Sequence, residues 1–296
     1  MNNNHYLSHE IISKLDNLYI KAKKVVEGFI VGLHKSPYHG FSVEFSDHRA
    51  YGPGDEERHI DWKLWGKTDR FYIKRYEEET NLKAHILIDQ SNSMAYTSHK
   101  INKLEYAKIL AASLSYMLIK NQDAVGFYMF DDGIKKIIAP RSTKSHLNIL
   151  LSEMDKLKPQ QNTNIAKAIH QCAEKTNKKG LIILISDLMD EEQSILKGLK
   201  HFLYKGHEII IFHILDPQEI KFDFKERVRF KDLESSQEIM TDPRQLKKTY
   251  RKKINEFINF YKTQCRQNKI DYVPIITNQT LDLALSEYLL KRKKLN

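Results

Sequence analysis

Apolar runs that alternate with amphipathic segments from Leu82 onward constrain the fold of this chain most strongly. The apolar runs predict strands near residues 82–88, 124–130, 134–138, 180–186, 208–215 and 271–276. The segments of helical period predict helices near residues 99–120, 144–156, 164–177, 190–204, 243–268 and 280–294. Because strands and helices alternate, we expect an α/β fold with right-handed crossovers and a doubly wound, mainly parallel six-stranded sheet covered by helices on both faces.

One strand is expected to break the parallel pattern. Asp131-Asp132-Gly133 separates the second predicted strand from the third, and such a sequence is typical of a hairpin turn. The third strand should therefore run antiparallel to the second, at an edge of the sheet.

The first 80 residues differ from the rest of the chain. Residues 8–34 have a broad apolar stripe at helical spacing, which must pack either on the chain's own sheet or on a partner. Residues 36–80 contain Gly, Pro and alternating aromatic residues, with a strand predicted near 71–76. We therefore expect two parts: an N-terminal helix with a small β appendage over residues 1–80, and the α/β domain over residues 81–296.

Five oxygen-bearing side chains are expected at one rim of the sheet. Asp89, Ser91 and Ser93 follow the first strand, Asp187 follows the fourth, and Thr163 lies where a loop meets a helix. The carboxyl ends of parallel strands meet at one edge, so these side chains should converge, without a cationic neighbour. Mg²⁺ and Mn²⁺ prefer such hard oxygen ligands. Taken alone, the Asp-x-Ser-x-Ser pattern is also typical of a strand-to-helix turn and a helix cap.

The same five residues resemble the metal-ion-dependent adhesion site of von Willebrand factor type A domains. This resemblance implies that Ser91, Ser93 and Thr163 touch the metal directly. It also implies that Asp89 and Asp187 act mainly through bound waters.

A second motif lies between Arg49 and Trp62 and resembles the signature of a bacterial von Willebrand A-like group known as domain of unknown function 58. The positions that match the signature are Arg49, Tyr51, Gly54, Asp55, Arg58, Asp61 and Trp62. The resemblance runs from residue 37 or so to the end of the chain. It departs from the group where Gln161 and Asn162 stand in place of the glycines that usually precede the Thr of the metal loop.

The charged residues of this signature have two interpretations. They form either a buried ion-pair network that fastens the appendage to the sheet, with Trp62 and Trp65 packed beneath it, or a binding surface. Both interpretations place the signature between the appendage and the metal domain.

The basic composition bears on the class of partner. The formal net charge is +10, and clusters of cationic residues lie at 247–248, 251–253 and 291–294. The remaining Lys residues are spread over predicted helices, without a recognition helix or an aromatic-rich strand motif. We therefore expect no specific nucleic-acid binding, and an acidic protein or an anionic lipid surface accounts for the charge equally well.

Other sequence features bear on the compartment. The sequence has no run of eighteen or more apolar residues, and its first five residues lack the blocks of a signal peptide. Cys172 and Cys265 have no Cys-x-x-Cys spacing, as expected for reduced thiols. We predict a cytoplasmic protein without a membrane span, for which peripheral membrane association stays open.

Three functions from different classes fit these observations. The first is a non-enzymatic interaction module whose divalent ion takes a carboxylate from a protein partner. The family resemblance implies that this partner system includes a MoxR-type AAA+ ATPase, with the chain as an adaptor in assembly or activation of client proteins. The second is a metal-dependent phosphohydrolase, but this chemistry normally needs a carboxylate where Ser91 stands. The third is a basic nucleic-acid binder, for which we see less support.

Overall fold

Most of the predicted α/β domain can be described in atomic detail. The computed structural model describes residues 17–34, 48–50, 52, 65–66, 68, 71–74, 82–130, 133–159, 164–224, 228–231, 238–241, 243–281, 284–286 and 288–289. The statements below concern these residues.

Ten strands form one large sheet and two small ones. In chain order they are β1 His48–Ala50, β2 Tyr72–Lys74, β3 Lys83–Asp89, β4 Ala124–Phe130, β5 Ile134–Arg141, β6 Leu181–Ser186, β7 Glu208–Leu215, β8 Val228–Lys231, β9 Glu238–Thr241 and β10 Asp271–Ile276. The large sheet has the order β10-β7-β6-β3-β4-β5, and only the β4–β5 pair is antiparallel. The predicted fold class, an α/β fold with a mainly parallel six-stranded sheet and one antiparallel edge strand, is confirmed.

Among the described residues, seven α-helices of five or more residues accompany the strands. They are α1 Leu18–His34, α2 Lys103–Lys120, α3 Lys144–Asp155, α4 Ile165–Lys175, α5 Glu192–Tyr204, α6 Pro217–Lys221 and α7 Pro243–Gln267. Residues 284–286 and 288–289 are also helical, as predicted for the end of the chain. Within the segments described above, no helix combines the length and the apolar character needed to cross a membrane.

The helix after β3 begins later than the sequence predicts. Its N-cap is Asn102, whose side chain accepts a hydrogen bond of 2.7 Å from the backbone N–H of Glu105. A cap of this kind ends the preceding irregular segment and fixes the first helical residue. A short 3-10 helix, Asn92–Ala95, lies earlier in the same segment, directly after β3.

The sheet separates two apolar layers because successive strand residues point to opposite faces. In β3, Ile86 and Ile88 pack into the layer that contains α1, α2 and α3. Leu87 packs into the other layer, which contains α4, α5 and part of α7. Both faces are therefore dry, which explains the nearly continuous apolar runs of the parallel strands.

Helix α1 packs into the core of this domain. Its residues Leu18, Ala22, Val25, Val26 and Phe29 are buried in the same layer as α2. The predicted apolar stripe therefore covers the chain's own α/β core over the residues that are described. The predicted start of this helix at residue 8 lies outside them, and the boundary at residue 80 stays a prediction.

The segment after β7 differs in part from the sequence prediction. Within residues 216–242 the sequence predicts a short β excursion from Phe222, Phe224, Val228 and Phe230. Instead, α6 forms first, and Phe222 ends it with a left-handed φ of 46°. The Phe222 ring stacks on Tyr250 of α7, with ring centroids 4.2 Å apart. The β hairpin forms only later, between β8 and β9. Aromatic residues therefore serve packing on α7 at this point rather than strand pairing.

The strand order reverses beside β3. The chain leaves β3 for β4 and β5 on one side, and then returns to β6 on the other side. The connections that follow β3 and β6 diverge to opposite faces, which opens a crevice at the carboxyl ends of these two strands. Asp89 and Asp187 lie at this crevice.

Acid should weaken this fold through His85 on β3. Its side chain is buried, and burial, with smaller contributions from the charges of His207 and Lys83, lowers its pKa from 6.5 to about 4. As pH falls below 6.5, the unfolded chain binds a proton at His85 that the folded chain does not. The contribution of His85 to the free energy of unfolding is therefore fully present above pH 6.5 and declines towards pH 4. The full effect is on the order of 3 kcal/mol.

Urea unfolding at several pH values in this window tests the role of His85. His85→Gln cannot take up the proton, so it should lose less stability than the wild type between pH 6.5 and 4. Replacement of the exposed His170 by Gln should leave the wild-type pH dependence unchanged. Equal acid sensitivity of the wild type and His85→Gln would contradict the assignment.

Candidate metal centre

The carboxylate of Asp89 is fixed at the end of β3 by two donors. One oxygen, Oδ1, accepts the backbone N–H of Ser91 at 2.8 Å, and the other, Oδ2, accepts the hydroxyl of Ser186 at 2.6 Å. Ser186 is the last residue of β6, so this bond joins the ends of two neighbouring strands. Asp89 is fully buried and therefore cannot reorient freely.

Two hydroxyl groups lie beside this carboxylate. The Oγ atoms of Ser91 and Ser93 are 2.8 Å apart, with Ser91 buried and Ser93 half-buried. Neighbouring oxygen ligands of an octahedral Mg²⁺ ion, with bonds of about 2.1 Å, lie about 3.0 Å apart. The spacing of the two hydroxyls is therefore close to that of two ligands on one ion.

Asp187 completes the described part of the candidate metal site, a cup formed by Asp89, Ser91, Ser93 and Asp187. Its Oδ1 accepts the backbone N–H of Met189 at 3.2 Å, and its carboxylate also receives a hydrogen bond from the Ser93 side chain. Leu188, between Asp187 and Met189, is buried and has a φ of 56°. This is a left-handed backbone conformation that residues other than glycine seldom adopt. The Leu188 N–H donates to the Ser186 hydroxyl at 2.9 Å. The turn after β6 is thus held in a strained shape that directs Asp187 towards the two serines.

Lys103 contradicts the expectation that the cup has no cationic neighbour. Its Nζ lies 2.7 Å from Oδ2 of Asp187 and 2.5 Å from Oε1 of Glu219. The Lys103 side chain is 1% exposed, so this is a buried ion-pair network rather than a surface contact. Sequence reasoning missed it because Lys103 is 84 residues from Asp187 and 116 from Glu219, and an isolated Lys at a helix start carries no motif.

The buried charges shift one another's pKa values. Burial, followed by the charge of Asp187, raises the pKa of Asp89 to about 7. Burial would also raise the pKa of Asp187, but the Lys103 ammonium outweighs it, and the pKa of Asp187 is lowered. Burial raises the pKa of Glu219 although Lys103 opposes the shift. A further cation near the two aspartates would favour the charged form of both.

A second network, centred on Asp216, holds the rim of the crevice in place. Asp216 caps α6, forms a capping box with Glu219, and accepts both the backbone N–H and the hydroxyl of Ser98, at 2.9 and 2.5 Å. It thereby joins the end of β7 to the loop that follows the two serines. The signal in the sequence is Asp216-Pro217 followed by Glu219, which is typical of a helix start.

Several predicted residues lie outside the described part of the chain. They are Thr163 of the metal set and Tyr51, Gly54, Asp55, Arg58, Asp61 and Trp62 of the signature. Arg49 is described only by its backbone, in β1, where it pairs with Ile73 of β2. The two interpretations of the signature therefore stay open, as does the place of Thr163.

The described donors suit a hard divalent ion. Asp89, Ser91, Ser93 and Asp187 present only oxygen atoms, the ligand type that Mg²⁺ and Mn²⁺ take in proteins. Among the residues that the structure covers, no three or more His, Cys, Asp or Glu side chains form a metal-binding group. A metal at this rim would therefore depend on the serine hydroxyls and on waters, as Mg²⁺ sites often do.

We expect Asp216→Ala to destabilise the protein by about 1 to 3 kcal/mol, because α6 loses its cap and the N–H and hydroxyl of Ser98 lose their acceptor. Thermal and urea unfolding measure this loss. Asp155→Ala, an exposed change at the end of α3, serves as the matched control and should be nearly neutral. A similar small effect of both substitutions would mean that Asp216 does not hold the rim.

Comparison with known proteins gives a family and several distant relatives. The sequence model of a family described as "Protein of unknown function DUF58" matches residues 47–257. Uncharacterized protein Rv1480 of Mycobacterium tuberculosis is 21% identical over 239 residues, which cover 79% of this chain and 75% of that protein. Uncharacterized protein Mb1516 of Mycobacterium bovis has the same identity and coverage.

Two solved structures are also similar to this chain. The conserved hypothetical protein BatB from Bacteroides thetaiotaomicron has a TM-score of 0.49 and 20% identity, over 72% of this chain and 99% of that one. The SpRpn10 VWA domain has a TM-score of 0.41 and 15% identity, over 69% of this chain and 93% of that domain.

Proposed function

The chain belongs to the DUF58 family, and from this premise we propose that it is a non-enzymatic interaction module that holds Mg²⁺ or Mn²⁺ and, through it, a protein partner. One observation carries the proposal: the Ser91 and Ser93 hydroxyls lie 2.8 Å apart beside two buried carboxylates at the switch point of the sheet. When bound, the ion supplies an open coordination position that takes an oxygen from an acidic residue of the partner.

The chain's own residues have distinct parts in this proposal. Ser91, Ser93 and Thr163 would hold the ion directly, and Asp89 and Asp187 would hold it mainly through waters. Hydrogen bonds from Ser186 and Met189 orient Asp89 and Asp187 within the chain itself. A preformed set of this kind spends little binding energy on ordering side chains.

The surface next to the cup supports a protein as the partner. Met189, two residues after Asp187, is 36% exposed and opens onto a groove that continues along α7 to Phe257 and Phe260. The groove is mainly apolar, although Glu192, Lys253 and Glu256 also line it, and it gives a protein segment a place for an apolar side chain next to its acidic residue. A small phosphorylated substrate bound at the cup would not need contacts along this groove.

The partner system that we propose is a MoxR-type AAA+ ATPase, with this chain as a cytoplasmic adaptor in assembly or activation of client proteins. Its support is the family resemblance together with the net charge of +10, which favours an acidic protein surface. Phosphoryl transfer has less support, because position 91 holds a serine and Asp89 is buried with both oxygens hydrogen-bonded.

Metal binding is tested on the purified full chain with Mn²⁺, by calorimetry or by electron paramagnetic resonance. We expect one divalent site whose affinity falls at least tenfold, about 1.4 kcal/mol, in Ser91→Ala and in Asp89→Ala. Ser194→Ala is the matched control, because the Ser194 hydroxyl bonds Glu191 on the exposed start of α5. Equal affinity in the wild type and Ser91→Ala would mean that the cup is only a turn and a cap.

Partner binding is tested with the purified MoxR-type ATPase of the same organism, with and without chelator. Because the ion completes the contact, both chelator and Ser91→Ala should abolish co-purification, whereas Ser194→Ala and moderate salt should not. A nucleic-acid binder would be insensitive to chelator and would weaken steeply with salt. Co-purification that survives both chelator and Ser91→Ala would contradict carboxylate capture.

A further inference from the structure

The buried side chain of Lys103 occupies the edge of the candidate metal cup. It is the first residue of α2, and its ammonium bridges Asp187 at 2.7 Å and Glu219 at 2.5 Å, with the ring of Tyr96 5.9 Å away. We propose that Lys103 is an internal counter-cation of the cup, which neutralises Asp187 when no ion is bound and competes with a divalent ion for this carboxylate. This inference rests on the proposed metal site.

The competition follows from the shared ligand. The carboxylate of Asp187 already contacts the ammonium of Lys103 through Oδ2 and the N–H of Met189 through Oδ1. A divalent ion that this carboxylate holds through a bound water still lies within several ångströms of the ammonium, and two cations repel each other more strongly in a buried site than in water. Lys103 therefore lowers the affinity of the cup for divalent ions.

Glu219 makes this competition possible without unfolding. A buried ammonium that lost its only partner would be left uncompensated, which is strongly destabilising. Lys103 has a second partner on α6, so it stays paired when an ion draws Asp187 away. The two carboxylates come from different elements, the turn after β6 and α6, and both converge on one ammonium.

A neighbouring buried lysine shows the contrast. Lys108 lies on the same helix and pairs with Glu105 at 2.7 Å, three residues earlier, but the Glu105 side chain is 44% exposed. This pair is local to α2 and includes neither Asp89 nor Asp187. Lys108 is thus a matched control for the removal of a buried charge from α2.

The test is a Mn²⁺ titration of the full chain by electron paramagnetic resonance, together with thermal unfolding at increasing Mn²⁺. Lys103→Met removes the competing cation, so it should bind Mn²⁺ at least tenfold more tightly than the wild type. Its melting temperature should also rise more with Mn²⁺ than that of the wild type, because the ion then compensates the buried carboxylates. Lys103→Arg, which keeps the charge, should bind like the wild type.

Two further variants keep the test decisive. Lys108→Met should lower stability without any gain in Mn²⁺ affinity, and an equal gain there would overturn the role of Lys103. If Lys103→Met does not fold, the double variant Lys103→Met with Glu219→Gln replaces it, because Glu219→Gln removes one of the two carboxylates that have lost their partner. We expect the same gain in Mn²⁺ affinity in this double variant.

The outcomes separate this inference from the proposed function. Unchanged or weaker Mn²⁺ binding in Lys103→Met, beside a wild type that binds, overturns the counter-cation and leaves the metal site standing. A wild type and variants that all fail to bind Mn²⁺ overturn both. If Lys103 were only structural, its replacement would lower stability and would not increase the affinity for Mn²⁺.

Discussion

The burial of two carboxylates side by side, Asp89 and Asp187, is the constraint on which the crevice depends. An isolated buried charge is too costly to persist, so each carboxylate needs donors or a counter-charge close by. Asp89 obtains its donors from the backbone of Ser91 and the hydroxyl of Ser186. Asp187 obtains a full positive charge from Lys103. The serines and Lys103, the first residue of α2, meet this need.

The topology of the sheet brings these groups together. Asp89 and Asp187 are far apart in sequence, but β3 and β6 are hydrogen-bonded parallel neighbours, so their carboxyl ends lie at the same rim. The crossovers leave these two strands towards opposite faces, which opens the crevice between their carboxyl ends. The dry layers on both faces of the sheet fix the strands, and rigid strands in turn fix the carboxylates.

The sheet could be predicted from sequence because its signal is local. The run from Leu181 to Ile185 is apolar at every position, as a parallel strand buried on both faces requires, and Asp131-Asp132-Gly133 carries the turn chemistry that reverses the next strand. The aspartates and serines of the cup could be placed for the same reason, since each follows the end of an apolar run.

The rest of the rim could not be predicted, because its pairings join distant segments. Lys103 looks like an ordinary helix residue until α6 and the turn after β6 fold against it. Phe222 fits a strand pattern by composition, yet it ends α6 because Tyr250 of α7 offers a stacking partner. Asn102 decides where α2 starts through one side-chain hydrogen bond, which a periodic pattern does not register.

The turn after β6 helps to decide whether the Asp-x-Ser-x-Ser motif is only a turn and a helix cap. That reading accounts for the bond between Asp89 and the N–H of Ser91, which any such turn would form. It does not account for Leu188, a buried residue held in a left-handed conformation some 100 residues later in the chain. Such strain costs on the order of 1 kcal/mol or more and persists only where the surroundings enforce it.

The Leu188 side chain packs in the apolar layer of α4 and α5, whereas its backbone is hydrogen-bonded to the cup. Its N–H donates to Ser186, which in turn donates to Asp89, while the next N–H, that of Met189, donates to Asp187. The strained turn thus connects the two carboxylates through backbone and hydroxyl donors on both sides. A local turn after β3 would need none of these contacts, so the strain is better explained by a requirement to hold Asp187 opposite Asp89 and the two serines.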